Sequence, residues 1–241
     1  MRKAAVVIPS RYQSSRFPGK PLAPILGKPM IQWVYEGVGR AKCVDRIIIA
    51  TDDERIKQVA QSFGAEVVMT SARHQTGTDR VAEVAGQLDS ALIINVQADE
   101  PLIQGEMVDS LVLVLQEKNV SVASLMARIE DMELIHNPNI VKVVVDNDGF
   151  SLYFSRAPIP FGASSFFFQH IGCYGFRREV LFEFVRMRRS KLEEMEKLEQ
   201  LRALENGYKI RMVEVAQPLL SVDTPEDIIK VENFLRERRN G

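Results

Sequence analysis

The stretch Ala4-Ala5-Val6-Val7-Ile8-Pro9-Ser10-Arg11-Tyr12-Gln13-Ser14-Ser15-Arg16-Phe17-Pro18-Gly19-Lys20 decides how this chain is read. Residues 4–9 are apolar throughout and centre on the β-branched Val6, Val7 and Ile8. A strand that buries both faces has this composition, and such strands belong to parallel sheets covered by helices. The run gives way at once to a loop holding Arg11, Arg16, Lys20, the hydroxyls of Ser14 and Ser15, and Gly19. A triphosphate needs that setting: cations to offset its charge, hydroxyls and free backbone N–H groups to bind its oxygens. The loop lacks the Gly-Lys-Ser/Thr ending of a P-loop and the Gly-x-Gly-x-x-Gly of a dinucleotide fold. On these residues alone a solvated basic loop also fits, because charge runs usually face water.

Outward from this stretch the pattern repeats. Residues 46–51, 66–70 and 91–97 are further apolar runs, and residues 29–40, 53–63 and 78–88 between them carry helical spacing. In the second of these helices Ile56, Val59, Ala60 and Phe63 form one apolar stripe. Repeated β-α-β units with short connections predict an α/β fold, a Rossmann-like doubly wound sheet that is mostly parallel. Ligands sit beyond the C-terminal strand ends of such sheets, so the stretches just after residues 9, 51, 70 and 97 are the candidate site.

Beyond residue 120 the pattern changes. Residues 121–128, 139–145 and 150–155 read as strands, the last two joined by the turn Asp146-Asn147-Asp148-Gly149. A strand at 171–176 and a helix at 179–185 follow, with the aromatic run Phe166-Phe167-Phe168 expected to lie exposed ahead of them. Ser190 and Glu193 form a capping box, predicting one helix that runs through Asn206 and stops at Gly207. Residues 210–215 are the last strand, and Thr224-Pro225 opens the last helix. The expectation is a single domain over 1–241 with a β-rich insertion at about 139–177.

The 241 residues are 46% hydrophobic and 26% charged, with 31 basic side chains against 32 acidic. That balance leaves no long-range field to draw in nucleic acid or an anionic membrane, so an anionic ligand must be held by a local cluster. Cys43 and Cys173 are far apart without metal or redox spacing, which fits a reducing cytosol and plain apolar packing. Residues 4–9 are too short for a signal-peptide core, and no apolar run is long enough to span a bilayer. A cytoplasmic protein without membrane insertion is expected.

Three further clusters carry chemistry. Asn95-Val96-Gln97-Ala98-Asp99-Glu100-Pro101 ends an apolar strand, and Asp99 there is a candidate ligand for Mg²⁺, a hard cation that arrives with phosphates. A helix-capping role suits a strand-end acid equally well. In Val222-Asp223-Thr224-Pro225-Glu226-Asp227, capping by Thr224 and dipole charges at Glu226 and Asp227 leave Asp223 over; pairing with Asp99 would complete a two-carboxylate Mg²⁺ site, which the sequence separation neither supports nor opposes. His74-Gln75-Thr76-Gly77-Thr78-Asp79-Arg80 lies between a strand and a helix, offering N–H groups to a base or ribose, or ordinary caps at Thr76 or Thr78.

Taken together these stretches resemble the sugar-acid cytidylyltransferases, and the likeness spans nearly the whole chain. It rests on the loop from Pro9 to Lys20, on residues 74–80, on Tyr153-Phe154-Ser155-Arg156, on His170-Ile171-Gly172-Cys173-Tyr174-Gly175-Phe176, on Leu198-Glu199-Gln200-Leu201-Arg202 and on residues 222–227. The resemblance implies transfer of CMP from CTP to the anomeric hydroxyl of an acidic sugar, 3-deoxy-manno-octulosonate (Kdo), with release of pyrophosphate, as in lipopolysaccharide synthesis. Amino-substituted Kdo and sialic acid are the neighbouring substrates. It implies catalytic roles for Arg11, Lys20, Asp99 and Asp223, with Mg²⁺ on the two aspartates. Pro9, Arg11, Ser14, Ser15, Lys20, His74, Gln75, Thr76, Gly77, Arg80 and Gln97 would bind the nucleotide. Gln97, Arg156, His170, Tyr174, Glu199 and Gln200 would line the sugar pocket, with Arg156 suited to pair bidentately with its carboxylate. A homodimer formed through the β-rich segment is also implied. One departure stands out: the family usually has glycine where this chain has Ala98. A positive φ there would strain alanine, but with the surrounding motif intact a position needing only a small side chain is expected, where one methyl is harmless. Ser221, where glycine is frequent, is a milder one.

Overall fold

The apolar run at the start of the chain is strand β1 (Ala4–Ser10), buried along its whole length. In this computed structural model, residues 3–13 and 17–240 are described. After β1 come β2 (Pro24–Ile25), β3 (Lys28–Pro29), α1 (Met30–Val38), β4 (Arg46–Thr51), α2 (Glu54–Ser62), β5 (Glu66–Met69), α3 (Gly77–Ala85) and β6 (Leu92–Val96). The chain continues through α4 (Gly105–Val114), β7 (Val122–Ile129), β8 (Lys142–Val145), β9 (Ser151–Ser155), β10 (Phe167–Arg177) and α5 (Arg178–Arg186). It ends with α6 (Lys191–Glu196), α7 (Leu201–Glu205), β11 (Ile210–Val215) and α8 (Pro225–Asn240).

The main sheet runs β11-β7-β10-β6-β1-β4-β5. β1 is parallel to β4 and β6, β4 to β5, and β11 to β7; β10 runs antiparallel to β6 and β7. The expected α/β, mostly parallel, doubly wound sheet is therefore present, and β1 shows why it forms. Ala4, Val6 and Ile8 pack on one side with Met30, Val34, Ile56, Val108 and Leu111 of α1, α2 and α4. Ala5 and Val7 pack on the other with Val81 and Val84 of α3 and Leu181 of α5. Successive side chains point to opposite faces, so only an all-apolar strand can serve both layers. The chain builds β4 and β5 on one side of β1, then crosses back to place β6 on the other. That reversal opens a crevice beyond the C-terminal ends of β1 and β6.

Three features differ from the sequence reading. The single helix expected from Ser190 to Asn206 is broken: α6 ends at Glu196, its cap Lys197 sits at φ 57, and α7 begins at Leu201. The capping box of Ser190 and Glu193 is present, but Glu193 also takes a two-pronged ion pair from Arg202, Nε to Oε2 at 2.8 Å and Nη2 to Oε1 at 2.5 Å. This buried fork folds α7 back against α6, and tertiary pairing overrides helical periodicity.

The run Phe166-Phe167-Phe168 is not an exposed patch. Phe167 is buried against Ile129 and Ile135, while Phe166 and Phe168 are half-buried with ring centroids 5.4 Å apart. Phe167 and Phe168 open β10, which the sequence reading began only at residue 171, and Phe166 immediately precedes it. Of the segment 139–177, β8 and β9 lie off the main path and β10 lies within it, between β6 and β7. Its large exposed apolar side chains are Leu152 and Phe161.

Candidate active site

Past β1, the loop bends back on itself where the Gly19 N–H donates to the Tyr12 carbonyl at 2.8 Å. Gly19 has φ 73, and an added Cβ would lie 3.1 Å from the Tyr12 ring, so both conformation and space demand glycine. The Arg55 guanidinium covers the same ring at 3.3 Å from its centroid. The bend delivers the Lys20 ammonium to the end of β6: 2.5 Å from Asp99 Oδ2, 2.9 Å from the Val222 carbonyl and 3.9 Å from Asp223 Oδ1. The Val222 N–H donates to the Asp99 carbonyl at 3.0 Å, and the Asp227 carboxylate accepts the N–H groups of Asp223 and Thr224 at 3.1 and 3.0 Å. Two aspartates far apart in sequence are thus pinned side by side. Ser14 and Ser15 lie outside the described residues.

The crevice beyond β1 and β6 holds a cavity of about 190 Å³ lined by Pro9, Arg11, Lys20, His74, Thr76, Gly77, Arg80, Gln97, Asp99 and Asp223, among others. The side chains at the start of α3 mostly serve structure. Thr76 and Asp79 form a reciprocal capping box, with Asp79 N–H to Thr76 Oγ1 at 3.1 Å and Thr76 N–H to Asp79 Oδ2 at 3.0 Å. Arg80 is buried, bonded to the Thr70 hydroxyl and to Asp52 Oδ2 at 2.9 Å. His74 is held by Glu83 through Nε2. Gln75 is exposed, turns its amide to the Arg73 carbonyl at 3.2 Å and lines neither this cavity nor the next.

A second cavity, of about 430 Å³, lies behind the first and shares Gly77, Gln97, Asp99 and Asp223 with it. Arg156, His170, Tyr174, Glu199 and Gln200 all line it. Arg156 donates from Nε to the Glu196 carbonyl and from Nη1 to the Pro138 carbonyl, both at 2.8 Å. Its remaining guanidinium N–H groups stay available as a fork for a carboxylate. His170 is buried with Nε2 3.0 Å from Ser124 Oγ, and desolvation pulls its pKa to about 3, so its ring is neutral. Burial pushes the Glu199 carboxyl up, partly offset by the Thr78 hydroxyl that donates to Oε2 at 2.6 Å. The Gln200 amide nitrogen is buried without a hydrogen-bond partner, a group that a polyhydroxylated ligand would satisfy.

Some lining residues carried no motif. Lys197 and Asn139 face this cavity; so does Glu100, which as the residue next to Asp99 is expected to point elsewhere but lines the same cavity with it. Glu100 is buried, accepts the Ser221 hydroxyl at 2.6 Å, and is pushed up to about 8 by burial and by the neighbouring Asp99 charge. Ser221, at a position where the resemblance leads to an expectation of glycine, therefore supplies a hydrogen bond that glycine could not. The other departure is harmless in backbone terms: among the described residues only Leu26 and Lys197 are non-glycine at positive φ, so Ala98 carries no such strain.

Asp99 and Asp223 converge on one positive atom, Lys20 Nζ, which shows that both carboxylates reach a common cationic centre. Among the described residues no group of three or more His, Cys, Asp or Glu side chains is placed to hold a metal by itself. A pair of carboxylates completed by substrate phosphates and water is the donor set that suits Mg²⁺.

A doubly wound sheet with a cation-bearing loop after its first strand, and two cavities meeting at paired carboxylates, defines a nucleotide-binding group-transfer protein. Residues 5–210 match the family model described as cytidylyltransferase. The 3-deoxy-manno-octulosonate cytidylyltransferase of Syntrophotalea carbinolica is 52% identical over 95% of this chain and 97% of the relative. That of Solibacter usitatus is 50% identical over 98% and 95%. A solved CMP:2-keto-3-deoxy-manno-octonic acid synthetase, complexed with CTP, superposes with a TM-score of 0.92 at 41% identity, covering 98% of this chain and 99% of its own. The chain belongs to the cytidylyltransferases, in the family of 3-deoxy-manno-octulosonate cytidylyltransferases.

Proposed function

We propose that this protein transfers CMP from CTP to the anomeric hydroxyl of Kdo, forming CMP-Kdo and pyrophosphate. The observation that carries the reading is the seam at Gly77, Gln97, Asp99 and Asp223, where a small cation-lined cavity opens into a larger one bearing Arg156. The first takes the triphosphate and nucleoside, and the second takes the acidic sugar. Attack then occurs at the seam, with the hydroxyl approaching the α-phosphorus as pyrophosphate leaves.

Arg11 and Lys20 offset the charge that builds on the leaving pyrophosphate. Lys20, held by Asp99 and the Val222 carbonyl, is already fixed where that charge develops. Asp99 and Asp223 would hold Mg²⁺, which supplies Lewis-acid activation of the sugar hydroxyl and neutralises phosphate charge when bound. Arg156 orients the sugar by its carboxylate, while His170, Tyr174, Glu199 and Gln200 bound the space for its hydroxyls. His170 donates no charge there, because burial keeps it neutral.

No helix among the described residues is long and apolar enough to cross a membrane. A cytoplasmic reaction is part of the proposal, supported by the unpaired Cys43 and Cys173. So is pairing of two copies through the segment that exposes Leu152 and Phe161; a monomeric mass by light scattering would refute that pairing. The reaction is tested by pyrophosphate release with CTP, Kdo and Mg²⁺, each omitted in turn. Release requiring all three is expected; equal turnover with amino-substituted Kdo or a sialic acid overturns the substrate, and CTP binding without turnover overturns the reaction.

A further inference from the structure

Lys142 is the most unusual side chain of the core. Its residue is 0% exposed, yet it carries an ammonium with no carboxylate in hydrogen-bond reach. Its Nζ instead donates to three backbone carbonyls: Asn137 at 3.0 Å, Ile140 at 2.8 Å and Arg156 at 2.5 Å. A buried ammonium persists only when its donors are fully used, and three is the number it has. Burial and the neighbouring Arg156 charge pull its pKa down, while Glu196 pulls it up.

The three carbonyls come from the two chain segments that wall the second cavity. One runs from Asn137 into β8 and carries Asn139 and Val141 to the cavity surface. The other is the end of β9, which carries Arg156. The contacts interlock. Lys142 holds the Asn137 carbonyl, and the Arg156 guanidinium rests on the next one, Pro138, at 2.8 Å. Lys142 also holds the Arg156 carbonyl, while the Arg156 N–H donates to Glu196 Oε2 at 2.9 Å. The root of Arg156 and the platform under its tip are therefore tied to a single atom.

We infer that Lys142 is a positioning residue for the sugar site, bracing Arg156 so that its free guanidinium edge faces the carboxylate of the acidic sugar. The inference rests on the proposed reaction. It assigns Lys142 no contact with substrate; it acts by fixing two carbonyl-bearing segments against each other, and it leaves the nucleotide cavity untouched, since none of its partners lines that cavity.

The test uses Lys142→Met, which removes all three donors, and Lys142→Gln, which keeps an amide with two and guards against a variant that does not fold. Steady-state kinetics should show the Kdo KM raised about tenfold in Lys142→Met, less in Lys142→Gln, with the CTP KM within about twofold in both. An unchanged Kdo KM, or equal rises in both KM values, overturns the inference. A crystal structure of Lys142→Met supplies a readout independent of turnover: the Arg156 guanidinium should leave the Pro138 and Glu196 carbonyls, and its staying in place refutes the brace. Wild-type protein that releases no pyrophosphate from CTP and Kdo would count against the reaction instead, with the structural readout still deciding the role of Lys142.

Discussion

The two cavities are built in opposite ways. The smaller one is assembled from short contiguous stretches at strand ends: the loop after β1, the start of α3 and the end of β6, with Asp223 added from the approach to α8. Beyond the stretches it shares with the first, the larger one gathers residues from β10, the end of β9, the segment before β8 and the break between α6 and α7. The first is what the topology of a doubly wound sheet provides, a crevice where strand order reverses. The second is not provided by that topology and depends on polar contacts that tie its pieces together: buried Lys142 on carbonyls, buried Arg202 on Glu193, and the Ser155 hydroxyl on half-buried Glu196. A common nucleotide-binding half can therefore be joined to a sugar half that is free to differ.

The seam is where the comparison breaks most easily. Asp99→Asn keeps the shape but removes one of the two carboxylates that converge there, and turnover should fall by about a thousandfold or more, with thermal unfolding little changed. Retained activity would show that neither cavity uses that carboxylate. Arg156→Ala tests the independence of the halves: the Kdo KM should rise by about ten- to a hundredfold while the CTP KM stays within about twofold. A larger change in the CTP KM would place Arg156 with the nucleotide and dissolve the division.

The difference in construction also explains what could be read from the sequence. β4 and β11 agree with the sequence reading end to end, and β1 to within one residue, because short runs rich in β-branched residues between turns admit few other structures. The clustering of Arg11, Lys20, Asp99 and the start of α3 followed from strand ends alone. The kinship of Asp223 with Asp99 did not; it depends on the Val222 N–H meeting the Asp99 carbonyl, which no local pattern encodes. The break at Lys197 was hidden because residues 190–206 are compatible with one helix until the Arg202 to Glu193 fork is known. Lys142 did leave a trace: a lone cation between Val141 and Val143, in a run whose neighbours all read as core. Its three carbonyl partners lie partly fourteen residues away, at Arg156, beyond the reach of periodicity.

In the wall of the second cavity, the burial of His170 has a measurable consequence. An unfolded histidine takes up a proton below about pH 6.5, whereas burial delays His170 until about 3 in the folded protein. Between those values the unfolded state binds the extra proton, so stability falls as pH drops, by up to about 1.4 kcal/mol per unit or roughly 2 kcal/mol from pH 6.5 to 5. Urea unfolding at both pH values should show this slope reduced in His170→Gln by that amount. An equal slope in the two proteins would mean that protons reach the ring in the folded state.

The mildest perturbation asks whether the wall between the cavities is shared. Gly77 lies at the first turn of α3 without a positive φ, so alanine there suits the helix, and its methyl is the only change. That methyl would stand 3.2 Å from Gln97 Oε1 and 3.3 Å from Pro9 Cγ, close enough that one neighbour must shift by a few tenths of an ångström. Pro9 is held inside β1 and paired with β4, whereas the Gln97 amide is held only by Nε2 donating to Asn95 Oδ1 at 2.8 Å. Gln97 should give way, and it faces both cavities. Gly77→Ala is therefore expected to raise both the CTP and the Kdo KM by about two- to fivefold, with little loss of stability. A change confined to CTP would assign Gln97 to the nucleotide alone, and the seam would then consist of the two aspartates without it.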